Sequence, residues 1–258
     1  MYNNIDILAE RRLSVTGIYR FADKIIQINS LYDEVHEYCR DYRCDGIPDL
    51  TVVTSHADIE YERQKSEKND ISEGHTVRKW SDSYLEELAV YRKIAEKMPA
   101  YDTFLFHGSA IAVSGQAYLF TAKSGTGKST HTRLWRELLG SRAVMVNDDK
   151  PLIRVGESGV MIFGTPYNGK HHLGENISVP LKNICILERS QQNHICRISK
   201  AKAYPMLLQQ VYRPADSAAL AKTLTLIDKM TGYVTLWRLG CNMELSAAEL
   251  AYHTMKGI

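Results

Sequence analysis

Cysteine is scarce and scattered in this chain of 258 residues: Cys39, Cys44, Cys185, Cys196 and Cys241 form an odd set without a repeated spacing. That excludes a disulfide framework and makes the cytoplasm the natural compartment. Cys39 and Cys44 alone are a poor zinc pair. Long apolar runs are missing as well. Ile111–Val113 and Ala117–Ala122 fall far short of the roughly 20 residues that cross a bilayer, so no membrane partner is expected. Neither sign of charge dominates, since 32 Lys+Arg face 30 Asp+Glu for a net charge of +2. A protein that coats nucleic acid carries a larger basic excess, so nucleic acid is not an expected partner. Met1-Tyr2-Asn3-Asn4-Ile5-Asp6 has neither a basic nor an apolar stretch, and no secretory leader is expected. Internal repeats and low-complexity tracts are absent.

What is present is ordinary globular material. Hydrophobic residues make up 44% and charged residues 24%, which excludes wholesale disorder. The length corresponds to about one and a half to two domains at ~150 residues each. Residues 1–100 form a small N-terminal α+β region, a candidate for substrate or partner docking, and 101–258 form the second domain. Val15–Phe21 and Lys24–Ile28 are β-branched and aromatic strands around an Ala22-Asp23 turn. Leu31–Tyr42 is helical, and Asp49–Thr54 is another strand. The polar stretch 57–83, including Arg63-Gln64-Lys65-Ser66-Glu67-Lys68-Asn69-Asp70, predicts an exposed loop or hairpin. Helical spacing returns over Ser83–Met98, with Ser83 and Glu86 placed as a capping box.

From Tyr101 onward the pattern changes. Phe104–Val113 predicts one strand, Ser114-Gly115-Gln116 a turn, and Ala117–Thr121 the returning strand. A helix from Lys128 to about Leu139 is stopped by Gly140. Its pairs Leu134/Leu138 and Trp135/Leu139 belong to the core; His131 and Thr132 could approach a nucleotide bound at the helix start, but surface positions are the favoured reading. Ala143–Asn147 is the next strand. Short strands at Leu152–Val155, Val160–Phe163, Asn183–Glu188 and His194–Ile198 follow. Helices at roughly 200–212 and 215–230, a strand at Tyr233–Arg238 and a helix at Ser246–Met255 complete the chain.

The strongest motif is Ala122-Lys123-Ser124-Gly125-Thr126-Gly127-Lys128-Ser129-Thr130. It follows a strand and opens a helix, the context a phosphate-binding loop requires. Glycines let backbone N–H groups converge on phosphate oxygens, and the helix start adds unsatisfied donors and a partial positive charge. Ser124, Gly125, Thr126, Gly127, Lys128, Ser129 and Thr130 are therefore the candidate nucleotide-binding residues. Lys128 has the reach for the β- and γ-phosphates of ATP, and the Ser129 hydroxyl can ligate Mg²⁺. Ala122 stands where the usual pattern has its first glycine, so an ordinary backbone conformation is expected there. Without a ligand, the same residues would be a Gly/Ser turn before a helix.

Asn147-Asp148-Asp149 ends the strand after that helix. An acid at the end of an apolar strand can hold Mg²⁺ or accept a proton, and two adjacent acids can divide those tasks. The same triplet is also turn chemistry. His107, among Phe104, Leu105, Phe106 and Ala110, reads on its own as a buried core histidine.

Taken in order, His107-Gly108-Ser109, Ser114-Gly115, Ser124-Gly125-Thr126-Gly127-Lys128-Ser129 and Val146-Asn147-Asp148-Asp149 resemble the catalytic domain of HPr kinase/phosphorylase. Relatives of that family share a fold with phosphoenolpyruvate carboxykinase. The resemblance covers roughly residues 102–245, and Leu236-Trp237-Arg238-Leu239-Gly240 before a helix adds to it. It implies an α/β (α+β) fold: a mixed, curved sheet with packed helices, not a simple doubly wound parallel sheet. It also implies roles. Asp148 would be the base that takes a proton from an attacking hydroxyl, with His107 touching and tuning it. Asp149 and Ser129 would hold Mg²⁺, with Glu175 as a further acid near the metal. Lys128 would neutralise charge on the transferred phosphoryl group. Which aspartate is base and which is ligand stays open.

Gly164–Asn176 is glycine-rich and polar, as a mobile active-site loop would be. Lys170 or Arg213 could supply further positive charge, although Lys170-His171-His172 reads more readily as a solvated loop tip than as a metal site, since two adjacent histidines lack a third ligand, and Arg213 before Pro214 could simply flank a helix start. The expected function is ATP-dependent phosphoryl transfer to a hydroxyl of a small protein, a peptide or a metabolite. An ATP-binding switch without an acceptor is the alternative, and a carboxykinase-type lyase ranks third. A homo-oligomer is left open.

Overall fold

The computed structural model describes residues 14–169 and 171–256. The chain divides into two compact units, Met1–Ile94 and Ala95–Ile258. In the first, strands β1 (Val15–Phe21) and β2 (Lys24–Ser30) pair antiparallel from Val15↔Ser30 to Phe21↔Lys24. Ala22 and Asp23 both take positive φ, 48° and 59°, which is how a two-residue turn follows the strands' right-handed twist. The segment expected as one helix over 31–42 is shorter: α1 spans Glu34–Tyr38, and a 3₁₀ turn follows at Arg40–Tyr42. Strand β3 (Leu50–Val53) lies parallel to β2.

The polar stretch after it is not a loop. Helix α2 runs over His56–Ser72, and α3 over Asp82–Lys97. Ser55 donates its backbone N–H and its hydroxyl to the Asp58 carboxylate, at 3.0 and 2.8 Å, and so starts α2. Helix-forming Glu, Arg, Gln and Lys carry it on, and its acids meet cations of α3. Asp58 takes Arg92 and Lys93, and the buried Glu62 takes Arg92 at 2.5 Å. Charge pairing replaces the apolar stripe that marks most helices. The cap of α3 is also shifted: Ser81, not Ser83, accepts the Tyr84 N–H. Glu86 is fully buried and turns away from the helix start, accepting from Leu31 N, Tyr32 N and the Thr54 hydroxyl.

In the second unit the strands are β4 (Thr103–Leu105), β5 (Ser109–Val113), β6 (Gln116–Thr121), β7 (Ala143–Asn147), β8 (Leu152–Val155), β9 (Val160–Phe163), β10 (Ser178–Arg189), β11 (His194–Arg197) and β12 (Thr235–Cys241). The helices are α4 (Lys128–Leu139), α5 (Lys200–Gln210), α6 (Ser217–Met230) and α7 (Leu245–Met255). The strands form one mixed sheet in the order β4-β8-β9-β10-β6-β5-β7, with β12 joined to β10 and β11 to β12. The expected mixed α/β class, with a small N-terminal sheet, is what the structure has. Central strands are buried on both faces. Leu119 of β6 and Ile184 and Ile186 of β10 share a core with Leu207 of α5 and Ile227 of α6. Their neighbours Phe120, Cys185 and Leu187 share another with Trp135 of α4 and Ala251 of α7. That double burial makes these strands near-continuous apolar runs. Fully burying side chains of this size contributes about 1.5–3 kcal/mol each.

The run 104–113 is two strands, not one. Phe106 N bonds to Pro151 O, His107 N to Gln210 O and Gly108 N to Asp149 O. The backbone thus leaves the β8 ladder and enters the ladders of β6 and β7. A Cβ on Gly108 would stand 2.7 Å from Leu119 Cδ1 and 3.0 Å from Phe120 O, so the crossing is closely packed against β6. Among the described residues no helix is long and apolar enough to cross a membrane.

Candidate functional site

Topology gathers the candidate residues at one sheet edge. Strand β5 lies between β6 and β7 and is antiparallel to both. The ends of β6 and β7 therefore meet the start of β5. The glycine loop leaves β6, the acids end β7, and His107-Gly108 lead into β5. Strands β10 and β12 run parallel to β6 and deliver Arg189 and the 241–243 segment to the same edge.

Gly125 and Gly127 have φ of 73° and 120°, conformations that favour glycine. Ala122 is buried with an ordinary φ, as expected for alanine in place of the first glycine. Helix α4 starts at Lys128 without a side-chain cap, so its first N–H groups remain available to a ligand. Lys128 Nζ donates to Ala122 O at 3.2 Å and spans the loop. Burial pushes its pKa down, while Asp149 and Asp148 oppose that shift. Arg189 donates to Gly125 O at 2.5 Å and braces the loop from β10.

Fully buried Asn147 shapes the acidic turn. Its Oδ1 accepts from Asp149 N at 2.8 Å and Lys150 N at 2.7 Å, and its Nδ2 donates to Thr165 Oγ1 at 2.9 Å. Turn chemistry and site chemistry coincide here. Asp148 is 7% exposed, and its Oδ1 accepts the Ser109 hydroxyl at 2.6 Å. Thr132 Oγ1 lies 2.8 Å from that hydroxyl, joining β5, α4 and the acid. Asp149 faces His107, with Nε2 3.3 Å from Oδ1, and Lys150 Nζ lies 3.7 Å from its other oxygen. Burial works to raise the Asp149 pKa, but His107, Lys150 and Lys128 outweigh it and leave the carboxyl below its usual range.

His107 is thus paired with Asp149 and not, as expected, with Asp148. It also sits in the break between β4 and β5 rather than on a strand. His131 and Thr132, expected at the surface, are 2% and 0% exposed. They lie on the face of α4 that packs on the sheet, next to Phe120 and Ser109.

His107, Lys128, Ser129, Asp148 and Asp149 line one cleft of about 750 Å³, together with Arg133, Arg136 and His171. The two arginines were not foreseen. The spacing Ser129, Thr132/Arg133, Arg136 on one helical face is the signal that would have found them. Ser109, the partner of Asp148, had no signal beyond its place in the motif. Glu175 is exposed, its backbone N–H bound to Met145 O, and Arg213 is exposed; neither lines this cleft. Lys170 lies outside the described residues. In the 164–176 loop, a Cβ on Gly164 would stand 1.9 Å from Glu175 O, so that glycine serves close approach.

Among the described residues no group of three or more His, Cys, Asp or Glu is placed to hold a metal by itself. Ser129, Asp148 and Asp149 offer hard oxygens beside the loop, a donor set that fits Mg²⁺ shared with phosphates.

No family model matches the chain, and no curated protein does. Among solved structures, the Hpr(Ser) kinase/phosphatase from Coxiella burnetii is similar at 11% identity and a TM-score of 0.27, over 50% of this chain and 97% of that one. A likeness this weak leaves the site to stand on its own geometry.

Proposed function

We propose that the chain is an HPr-kinase-like phosphotransferase that binds Mg-ATP at the 124–130 loop and passes the γ-phosphoryl group to a hydroxyl. The observation that carries this reading is the shared cleft: loop, lysine, two acids and histidine converge from three separate segments. Bound Mg²⁺ would neutralise charge on the phosphates. Ser129 and Asp149 would hold it, the latter because its cationic neighbours keep it ionised. Asp148 has Oδ1 occupied by Ser109 and Oδ2 facing the Gly169 backbone, where a Cβ would still lie 3.8 Å away. In this reading Oδ2 takes the proton of the acceptor hydroxyl. The hydroxyl oxygen bonds to the γ-phosphorus, the bond to the β-phosphate oxygen breaks, and ADP leaves with its electron pair. Lys128 offsets the charge that develops. Arg133, Arg136 and His171, with Met145 and Leu173, line the remaining wall, where the acceptor hydroxyl of a protein, peptide or metabolite would sit.

Calorimetry with Mg-ATP tests the loop. Lys128→Ala should weaken binding at least tenfold; equal affinities in wild type and variant would defeat this reading. Incubation with γ-labelled ATP and a metabolite or lysate pool should then label an acceptor, whereas binding without any transfer would favour the switch.

A further inference from the structure

A second cleft, of about 610 Å³, opens on the other side of the glycine loop. Gly125, Gly127 and Thr130 line both clefts. The chemistry of the two differs. The first carries acids and cations, while the second has no acid among the described residues: Leu134, Leu187 and Met243 supply apolar wall with His131 among them, and Arg189, Gln191 and Asn242 add polar groups. A nucleoside triphosphate laid along the loop has two unlike ends, and each cleft suits one of them.

His131 supplies an independent pointer. Trp135 Nε1 donates to His131 Nε2 at 3.1 Å. An indole N–H can only donate, so Nε2 accepts and the ring proton sits on Nδ1. Burial pushes the pKa down to about 4, which keeps the ring neutral. The Nδ1 atom has no hydrogen-bond partner among the described residues, although the side chain is 2% exposed. Buried donors in native proteins are nearly always satisfied, and an orphan beside a cleft points to a ligand.

We infer that the second cleft takes the nucleoside of the triphosphate and that His131 donates from Nδ1 to one of its acceptor atoms. This rests on the nucleotide reading of the loop and adds the part of the ligand that the phosphates do not specify. The flat base lies against the Leu134, Leu187 and Met243 surfaces, and the phosphates continue across Gly125–Thr130 toward the acids.

Titrating wild type, His131→Phe and Met243→Ser with Mg-ATP and, separately, with Mg-tripolyphosphate tests this. Met243 is 77% exposed, so its replacement leaves the fold intact. Wild type should prefer ATP. His131→Phe should lower ATP affinity about five- to tenfold and Met243→Ser about twofold, with tripolyphosphate affinity nearly constant in both. Constant tripolyphosphate binding also shows that the variants are folded. If wild type binds tripolyphosphate as well as it binds ATP, the inference fails while the loop reading stands. Equal losses for both ligands in His131→Phe, with no effect of Met243→Ser, would make His131 a packing residue and overturn it. Binding of neither ligand by wild type would remove both readings.

Discussion

His107 Nε2 stands 3.3 Å from Asp149 Oδ1, while the neighbouring carboxylate, Asp148, takes the Ser109 hydroxyl at 2.6 Å. Two adjacent acids thus have different company. One is held among cationic and imidazole groups, and the other is anchored by a hydroxyl. The difference follows from backbone direction. Asn147 folds the chain back on Asp149 N and Lys150 N, and the two side chains leave the turn toward different partners, Ser109 at the start of β5 and His107 in the break before it.

That division predicts a split between two conservative variants. Asp148→Asn should leave Mg-ATP binding close to wild type and lower turnover by about 10²–10⁴, the usual effect of losing a general base. Asp149→Asn should instead weaken nucleotide binding in Mg²⁺ and have little effect in EDTA. Calorimetry with and without Mg²⁺, paired with single-turnover transfer, reads both. Interchanged effects would mean that the roles are reversed.

Arg189 braces the loop through Gly125 O. Arg189→Ala should loosen the loop's cradle of N–H groups and weaken ATP and tripolyphosphate together, by about threefold, the scale of one lost hydrogen bond. Parallel titrations check this. A loss confined to ATP would place Arg189 at the nucleoside instead of the loop.

Glu87 gives the first unit a pH dependence. Burial, helped by Glu34, raises its pKa to about 7. The folded chain therefore keeps a proton that the unfolded chain releases near its ordinary, lower pKa. Stability falls as pH climbs from the ordinary carboxylate range to about 7 and then levels off. Glu87→Gln should melt at a higher temperature than wild type at pH 8 and at the same temperature near pH 4.5. Thermal melts at both values decide it; a gain that does not change with pH would trace to packing.

Parts of this architecture were legible because their signals are local. Val113–Gln116 has a glycine turn between apolar strands, and β5 and β6 pair around it. The glycine loop and α4 lie where strand, glycines, lysine and 3.6-residue spacing put them. Strand β7 ends at Asn147, as its apolar run implies.

Other parts depend on partners distant in sequence. Helix α2 has no apolar stripe to read; Arg92 and Lys93, some 30 residues on, neutralise its acids. The break at 106–108 exists because Pro151, Gln210 and Asp149 offer carbonyls there. His131 is polar and adjoins a phosphate loop, yet Trp135 and Phe120 enclose it.

The sequence by itself determined most elements of the second unit, though not the break that divides 104–113, together with the glycine loop and the presence of two acids at a strand end, since each of these follows from neighbours along the chain. Tertiary structure alone decided which acid His107 meets, that Ser109 holds Asp148 and that a second cleft adjoins the loop. Those outcomes depend on β5 lying between β6 and β7 and on β10 and β12 ending at the same edge, pairings of strands that no local pattern specifies.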